Sequence, residues 1–314
     1  MKDPTLLLDV SYLAHRAFHT MGDLAYGSEG TGAIFGIFKD IQVLQQRFGT
    51  GRLVFAFDHP APKHREHHCP GYKSTRRQRY AEESEDEQRA RRDFRGQLRK
   101  LYRQYLPAAG FANVFAAAGF EADDIIARVA RNIPAGEEAI IVSSDEDLWQ
   151  CLSRMGTPDE RGMFKRPQIS CWNPQKAKLY TATGFEEQWG FPPALWARVK
   201  AIAGCKTDDV PGVPGVGEVT AAKYVRGELG THTKAYAKIQ AFDWRANKRI
   251  VKLPYEGTPN FDLRDDEVTE EKWQAVADAL GMASLRGHVP TTTGKTRGRK
   301  PNERQKAKGF GLNR

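Results

Sequence analysis

Four short apolar runs punctuate the first two-thirds of the chain: Leu6-Leu7-Leu8, Leu53-Val54-Phe55-Ala56-Phe57, Ala139-Ile140-Ile141-Val142 and Ile169 to Trp172. Unbroken runs of this length, set between helical patterns, predict central strands of a mostly parallel sheet covered on both faces. Ile125, Ile126, Val129 and Ala130 recur at helical spacing and share one face. Near Phe191 the texture changes: Leu195, Val199 and Ile202 repeat at helical spacing. A stretch of Gly and Pro follows, Val210-Pro211-Gly212-Val213-Pro214-Gly215-Val216-Gly217, and a new helical pattern starts at Glu218. The pattern predicts an α/β domain over 1–190 and a small helical domain over 191–287. The segment 288–314 is polar, basic and nearly free of apolar residues, which predicts a disordered tail.

One segment breaks the pattern. Between Lys73 and Asp93 the only large apolar side chain is Tyr80. Such a stretch has no stripe to bury. Phe94, Leu98, Leu101 and Tyr105 then supply one, so a helix is expected to dock only from Phe94 onward, with a mobile charged excursion before it.

Acidic residues follow the predicted strands. Asp9 ends the first run, Asp58 ends the second, and Asp145 and Asp147 come just after the third. Glu121, Asp123 and Asp124 open the helix that carries Ile125, and Asp208 and Asp209 stand at the mouth of the Gly-rich turn. In open α/β sheets ligands bind at the carboxyl ends of strands, so these acids are expected to meet at one edge. Crowded carboxylates raise one another's pKa and need cations for relief. Hard oxygen donors suit Mg²⁺ or Mn²⁺, and two such ions about 4 Å apart can clamp an in-line phosphodiester displacement. Any one of these acids, taken alone, reads more often as a helix cap or turn residue; the convergence is what points to a metal.

Composition fits that chemistry. The 314 residues carry a net charge of +9 with 40% hydrophobic residues, which favours a polyanionic partner and allows a sizeable core. No apolar run approaches the roughly 20 residues that span a bilayer, and Met1 to Val10 does not read as a signal peptide. Cys69, Cys151, Cys171 and Cys205 lack paired spacing, which fits a reducing cytoplasm.

Further signals concern nucleic acid. Gly212 to Gly217 followed by a helix resembles a helix–hairpin–helix turn, whose glycines let the backbone approach a phosphate; an ordinary glycine turn is the competing reading. Lys73, Arg76, Arg77 and Arg79 beside Tyr72 and Tyr80 suit a single strand, or simply a solvated helix face. His59, His64, His67, His68 and Cys69 crowd one loop without a standard zinc spacing. Lys295, Arg297, Arg299, Lys300, Arg304, Lys306 and Lys308 form either an electrostatic arm or a solubilising tail.

Taken in order, several motifs are similar to those of the flap endonuclease family, which includes phage and bacterial 5′→3′ exonucleases and the nuclease domain of bacterial DNA polymerase I. They are Leu8-Asp9-Val10-Ser11-Tyr12-Leu13-Ala14-His15-Arg16, Phe57-Asp58 with Arg65 and Gly71-Tyr72-Lys73, Gly119-Phe120-Glu121-Ala122-Asp123-Asp124, Ser144-Asp145-Glu146-Asp147-Leu148 with Gln150, and Asp208 to Gly217. The resemblance runs over roughly residues 5 to 225. It implies a PIN-like α/β fold with a helical arch over about 73–106 and a C-terminal helix–hairpin–helix domain.

The same resemblance implies a divalent-metal-dependent 5′→3′ exonuclease or flap endonuclease of replication and repair. Asp9, Asp58, Glu121 and Asp123 would hold a first Mg²⁺ or Mn²⁺, and Asp124, Asp145, Asp147 and Asp208 a second. Lys73 and Arg16 would face the scissile phosphate, and Tyr72 would stack on the terminal base. DNA would be bound by Arg65, Arg76, Arg77, Gly212, Gly215, Gly217 and Lys223, with a K⁺ bridging the turn to phosphate. The implied partner is DNA with a 5′ flap, nick or 5′ end, met by a monomer beside a replication polymerase in a bacterial or phage-infected cell. No polymerase domain fits after residue 287, so a stand-alone nuclease is expected.

Two positions depart from the family pattern. Gly204-Cys205 stands where Gly-Asp is usual, and Asp208-Asp209 where Asp-Asn is usual. A thiol is a poor Mg²⁺ ligand, so the alternative function is a DNA-structure-binding protein with weakened catalysis.

Overall fold

Leu6, Leu7 and Leu8 are no more than 1% exposed, which a run without polar alternation requires of a strand covered on both sides. The computed structural model describes residues 2–22, 24–59, 63–287 and 289–290. The basic tail expected over 288–314 lies outside the described residues apart from Val289 and Pro290.

The strands are β1 (Thr5–Asp9), β2 (Ala25–Tyr26), β3 (Glu29–Gly30), β4 (Leu53–Ala56), β5 (Val114–Phe115), β6 (Glu138–Val142), β7 (Gln168–Asn173) and β8 (Lys178–Tyr180). The helices of the first half are α1 (Val10–Met21), α2 (Gly32–Phe48), α3 (Lys63–His68), α4 (Ser74–Ala81), α5 (Glu85–Lys100), α6 (Leu106–Ala108) and α7 (Ala122–Asn132). Those of the second half are α8 (Ala182–Trp189), α9 (Trp196–Ala203), α10 (Glu218–Arg226), α11 (Lys234–Ala241), α12 (Trp244–Val251) and α13 (Glu270–Ala279).

The main sheet has the order β5-β4-β1-β6-β7-β8. Its pairs are parallel except β7 with β8. The four apolar runs are therefore β1, β4, β6 and β7, as expected of a mostly parallel sheet. Asp9 lies level with Ala56, and Leu8 level with Val142, so β1, β4 and β6 end together. The antiparallel edge strand β8 escapes a reading based on apolar runs, because only Leu179 and Tyr180 are apolar in it.

Side chains of β1 divide between two cores. Leu7 joins Val54, Ile125, Ile126 and Ile141 on one face, together with Trp196, Ile202, Val213 and Ala222 of the later helices. Leu6 and Leu8 join Ile37, Phe38, Phe55 and Leu101 on the other. The segment after 190 thus shares the first core instead of making one alone. Its last part crosses to the opposite face, where Trp273 of α13 meets Phe38 with ring centroids 5.1 Å apart.

The charged segment forms α4 and α5. No residue of α4 is buried. Within α5 only Phe94 and Gln97 are buried, so docking begins at Phe94 as its stripe requires. Phe94 lies 4.4 Å from His15 and 5.2 Å from Phe18, and Gln97 accepts the Ala33 N–H at 2.8 Å. Ser84 and Glu87 close a reciprocal cap at the start of α5.

Candidate metal centre

Each acid reaches the sheet edge for a local reason. Asp9 is the last residue of β1 and the N-cap of α1, accepting the Tyr12 N–H at 3.0 Å. Its second oxygen accepts the Ser143 hydroxyl at 2.9 Å. Asp58 follows β4 and accepts the Ala122 N–H at 2.8 Å, which ties it to the start of α7. Glu121 is the N-cap of α7 and Asp123 lies in its first turn. Asp145 caps the short 3₁₀ turn after β6, accepting the Asp147 N–H at 2.7 Å.

Electrostatics show that these carboxylates meet. Burial, then the neighbouring Asp58, pushes Asp9 up to about 7. Burial also pushes Asp123 well above the usual carboxylate range, with Asp145, Asp9, Asp58 and Glu121 all adding to it. Asp147 rises to about 7 through burial and the charge of Asp145. Asp145 rises through burial, and Asp208 adds to it. Four acids from three segments are therefore held in a state that favours a proton or another cation.

Two lysines already sit against the acids. Lys73 binds Glu121 and lies 3.4 Å from Asp208. Burial opposes its charge, but Glu121 and Asp208 outweigh burial and raise its pKa. Burial likewise opposes ionisation of Glu121, whereas Lys73 and Arg65 hold it below its ordinary value. Lys200 of α9 lies 3.0 Å from both Asp147 and Glu218. Sequence reasoning missed Lys200 and Ser143: a lone lysine in a helical pattern and a serine beside a strand carry no signal of their own.

Among the described residues, Asp147, Cys205 and Asp208 offer donor atoms within 4.8 Å of one another, a spacing that one cation can bridge. The Cys205 thiol also lies 3.1 Å from the Thr207 hydroxyl.

Residues 4–190 match the family described as the 5′-3′ exonuclease, N-terminal resolvase-like domain. DNA polymerase I of Mycobacterium leprae is 31% identical over 228 residues, covering 71% of this chain and 23% of that protein. The chain belongs to the 5′-3′ exonuclease family. It spans about a quarter of the length of the curated relatives it matches. A solved structure of the T5 5′-exonuclease with bound divalent metal ions (zinc) shares the fold, with a TM-score of 0.65, 18% identity, and coverage of 90% of this chain and 98% of that one. A T5 flap endonuclease solved as a pseudo-enzyme-product complex with DNA and metal ions gives 0.61 at 17% identity, over 90% and 96% of the two chains. Proteins of this family are phosphodiester hydrolases with the PIN-like, mostly parallel sheet described above.

Several residues of the expected site have other partners in the structure. Asp124, expected as a ligand of the second ion, is 0% exposed. Both its oxygens are taken by Arg65 at 2.6 and 2.7 Å, by the Tyr255 N–H at 2.8 Å and by the Glu121 N–H at 3.2 Å. That leaves no lone pair directed at an ion. Arg65, expected on DNA, is 4% exposed and also donates to Glu121 and the Ile250 carbonyl, so it is structural. Tyr72, expected to stack on a base, is 2% exposed, and its hydroxyl donates to Glu121 at 2.6 Å and Asp208 at 3.3 Å. Its ring is part of the first core, so no face is open to a base.

Arg16, expected at the phosphate, instead holds both oxygens of Asp40 at 2.7 and 2.8 Å. Arg77 binds Glu66 and the carbonyl of Tyr72, while Arg76 reaches to 3.9 Å from Asp208 and remains partly exposed. The histidine loop forms no converging donor set among the described residues. His64 packs on Phe120 at 4.4 Å, and His68 shares a 2.8 Å hydrogen bond with Tyr255.

The Gly-rich turn is built for close backbone approach. A Cβ at Gly212 would stand 2.0 Å from the Ala203 carbonyl oxygen, and Gly215 has φ 79°. Gly217 caps α10 without a side-chain hydrogen bond, and Lys223 of that helix is exposed. No described helix is long and apolar enough to cross a membrane.

Proposed function

We propose that this chain hydrolyses DNA phosphodiester bonds near a free 5′ end, as a 5′→3′ exonuclease and flap endonuclease, with Mg²⁺ or Mn²⁺ at the acidic edge. The observation that carries this is the convergence of Asp9, Asp58, Asp123, Asp145 and Asp147, where burial first and mutual repulsion second hold several of them above the usual carboxylate range. Oxygen donors in that number suit hard divalent ions.

Asp9, Asp58 and Asp123 are the donors for one ion; Glu121 joins them only by giving up part of its bonding to Lys73, Tyr72 and Arg65. Asp145, Asp147, Asp208 and Cys205 are the donors for the other. Bound divalent ions supply a hydroxide nucleophile and neutralise charge on the phosphate. The Asp147 N–H holds the Asp145 carboxylate and the Lys200 ammonium holds that of Asp147, while Ser143 Oγ accepts the Asp145 N–H and fixes the turn. Lys73 exchanges part of its carboxylate contact for the scissile phosphate and stabilises its developing charge.

The uncapped start of α10 and the Gly212–Gly217 turn offer backbone N–H groups to a duplex phosphate, with Lys223 beside them and a K⁺ as bridge. Arg76, partly exposed and 3.9 Å from Asp208, is free to meet a strand that threads the arch. A 5′ flap, nick or free end is the DNA partner, and the chain acts as a monomer alongside a replication polymerase in the cytoplasm. No observation favours the alternative of a DNA-structure-binding protein with weakened catalysis.

The test is a product-size assay on a 5′-labelled flap with and without Mg²⁺. The wild type yields short 5′ products only with the ion. Asp145→Asn with Asp147→Asn binds the flap and leaves it intact; undiminished cleavage by that double variant refutes the assignment.

A further inference from the structure

The base of the arch is fastened from a distant part of the chain. Helix α4 begins at Lys73, which has φ 52° and offers no side-chain cap. A carboxylate 134 residues away fills that place: Asp209 Oδ2 accepts the Thr75 N–H at 2.8 Å, and Oδ1 accepts the Thr75 hydroxyl at 2.6 Å. One residue earlier, the Asp208 carbonyl accepts the Lys73 N–H at 2.9 Å.

Asp209 is itself left-handed, with φ 55°. Among the described residues only Lys73, Ala177 and Asp209 carry positive φ without being glycine, and two of the three face each other here. Such backbone persists only where its surroundings fix it. The turn points two ways. Asp208 aims inward, at the Tyr72 hydroxyl and the Lys73 ammonium, while Asp209 aims outward, at Thr75.

We propose that Asp209 is a positioning residue that caps α4 across the chain and thereby fixes Lys73 in the acid cluster. The inference deepens the nuclease reading, on which the role of Lys73 rests. An exposed hydrogen-bonded pair adds little to global stability, so its effect is expected in geometry at the phosphate and not in the melting temperature.

The full chain is compared as wild type, Asp209→Ala and Asp209→Asn. Asparagine keeps an oxygen for the Thr75 N–H and an amide that can donate to the Thr75 hydroxyl. Amide exchange at Thr75 is followed without DNA, and single-turnover cleavage is followed at saturating flap and Mg²⁺. Asp209→Ala is expected to lose protection at Thr75 and to cleave on the order of 10- to 100-fold more slowly, with flap affinity held. Asp209→Asn restores both. A wild-type rate and wild-type protection in Asp209→Ala overturn the proposal, and so does an Asp209→Asn variant as impaired as Asp209→Ala. If the wild type cleaves nothing in Mg²⁺, the nuclease reading fails, while exchange at Thr75 still decides whether Asp209 caps the helix.

Discussion

Arg65 and Asp124 close on each other through two parallel hydrogen bonds of 2.6 and 2.7 Å, with side chains 5% and 0% exposed. This geometry makes the pair a buried strut between α3 and the first turn of α7. It also divides the Glu121-Ala122-Asp123-Asp124 motif by role: Asp123 turns to the edge, and Asp124 turns to the guanidinium.

Asp124→Ala should therefore unfold more easily by about 3–5 kcal/mol, because it strands a buried guanidinium. A shift of the urea midpoint measures it. Asp123→Asn, by contrast, should lose divalent-ion affinity without any fall of its midpoint in chelator. A normal midpoint for Asp124→Ala would show that Arg65 finds another partner.

Lys73→Ala should slow the chemical step by a factor of about 10² or more, as loss of a donor to a developing oxyanion does. Single-turnover quench-flow reads it directly. A wild-type rate would exclude Lys73 from the phosphate despite its contacts with Glu121 and Asp208.

Stability without metal should fall as pH rises through the window from 3.8 to about 7 set by Asp9. In that window the folded protein holds a proton that the unfolded chain has already released, so raising the pH removes a stabilising proton. Asp9→Asn should flatten the trend in chelator, and divalent ions should rescue the wild type at pH 7 and above. Below pH 6 protons compete with the ions, and their affinity should weaken. Parallel urea-midpoint curves for wild type and Asp9→Asn would contradict the assignment.

Burial and the Asp147 carboxylate push the Cys205 thiol up to about 11, so it stays protonated at neutral pH unless an ion displaces the proton. Co²⁺ should give a sulfur-to-metal absorption band in the wild type that Cys205→Asp lacks. The same variant should reach half-maximal rate at lower Mg²⁺, since it replaces a soft donor with a hard one. Identical Mg²⁺ dependence and identical Co²⁺ spectra would show that position 205 does not touch the ion.

Much of the site was legible because parallel central strands leave continuous apolar runs, and an acid just past such a run marks a strand's carboxyl end. Asp9, Asp58, Asp145 and Asp147 follow that rule. Asp124 did not reveal its role: an acid in a first helical turn reads the same whether it meets an ion or an arginine 59 residues away. A short polar stretch gives no sign that Tyr72 and Arg65 are buried: Arg65 donates to the Ile250 carbonyl of α12 and lies over the Tyr255 ring, and Tyr72 joins the first core. The return of α13 to the far face was also hidden, since the periodicity of a helix tells which side is apolar but not which core receives it.

The shared direction of β1, β4, β5 and β6 has a practical corollary. Their carboxyl ends carry Asp9, Asp58, Asp145 and Asp147, so the connection 134–136, which leads into β6, lies at the opposite margin with Pro134 and Ala135 exposed. A fluorophore or surface tether attached there would hang a full strand length from the chemistry, giving single-molecule work a handle that leaves the cutting edge untouched.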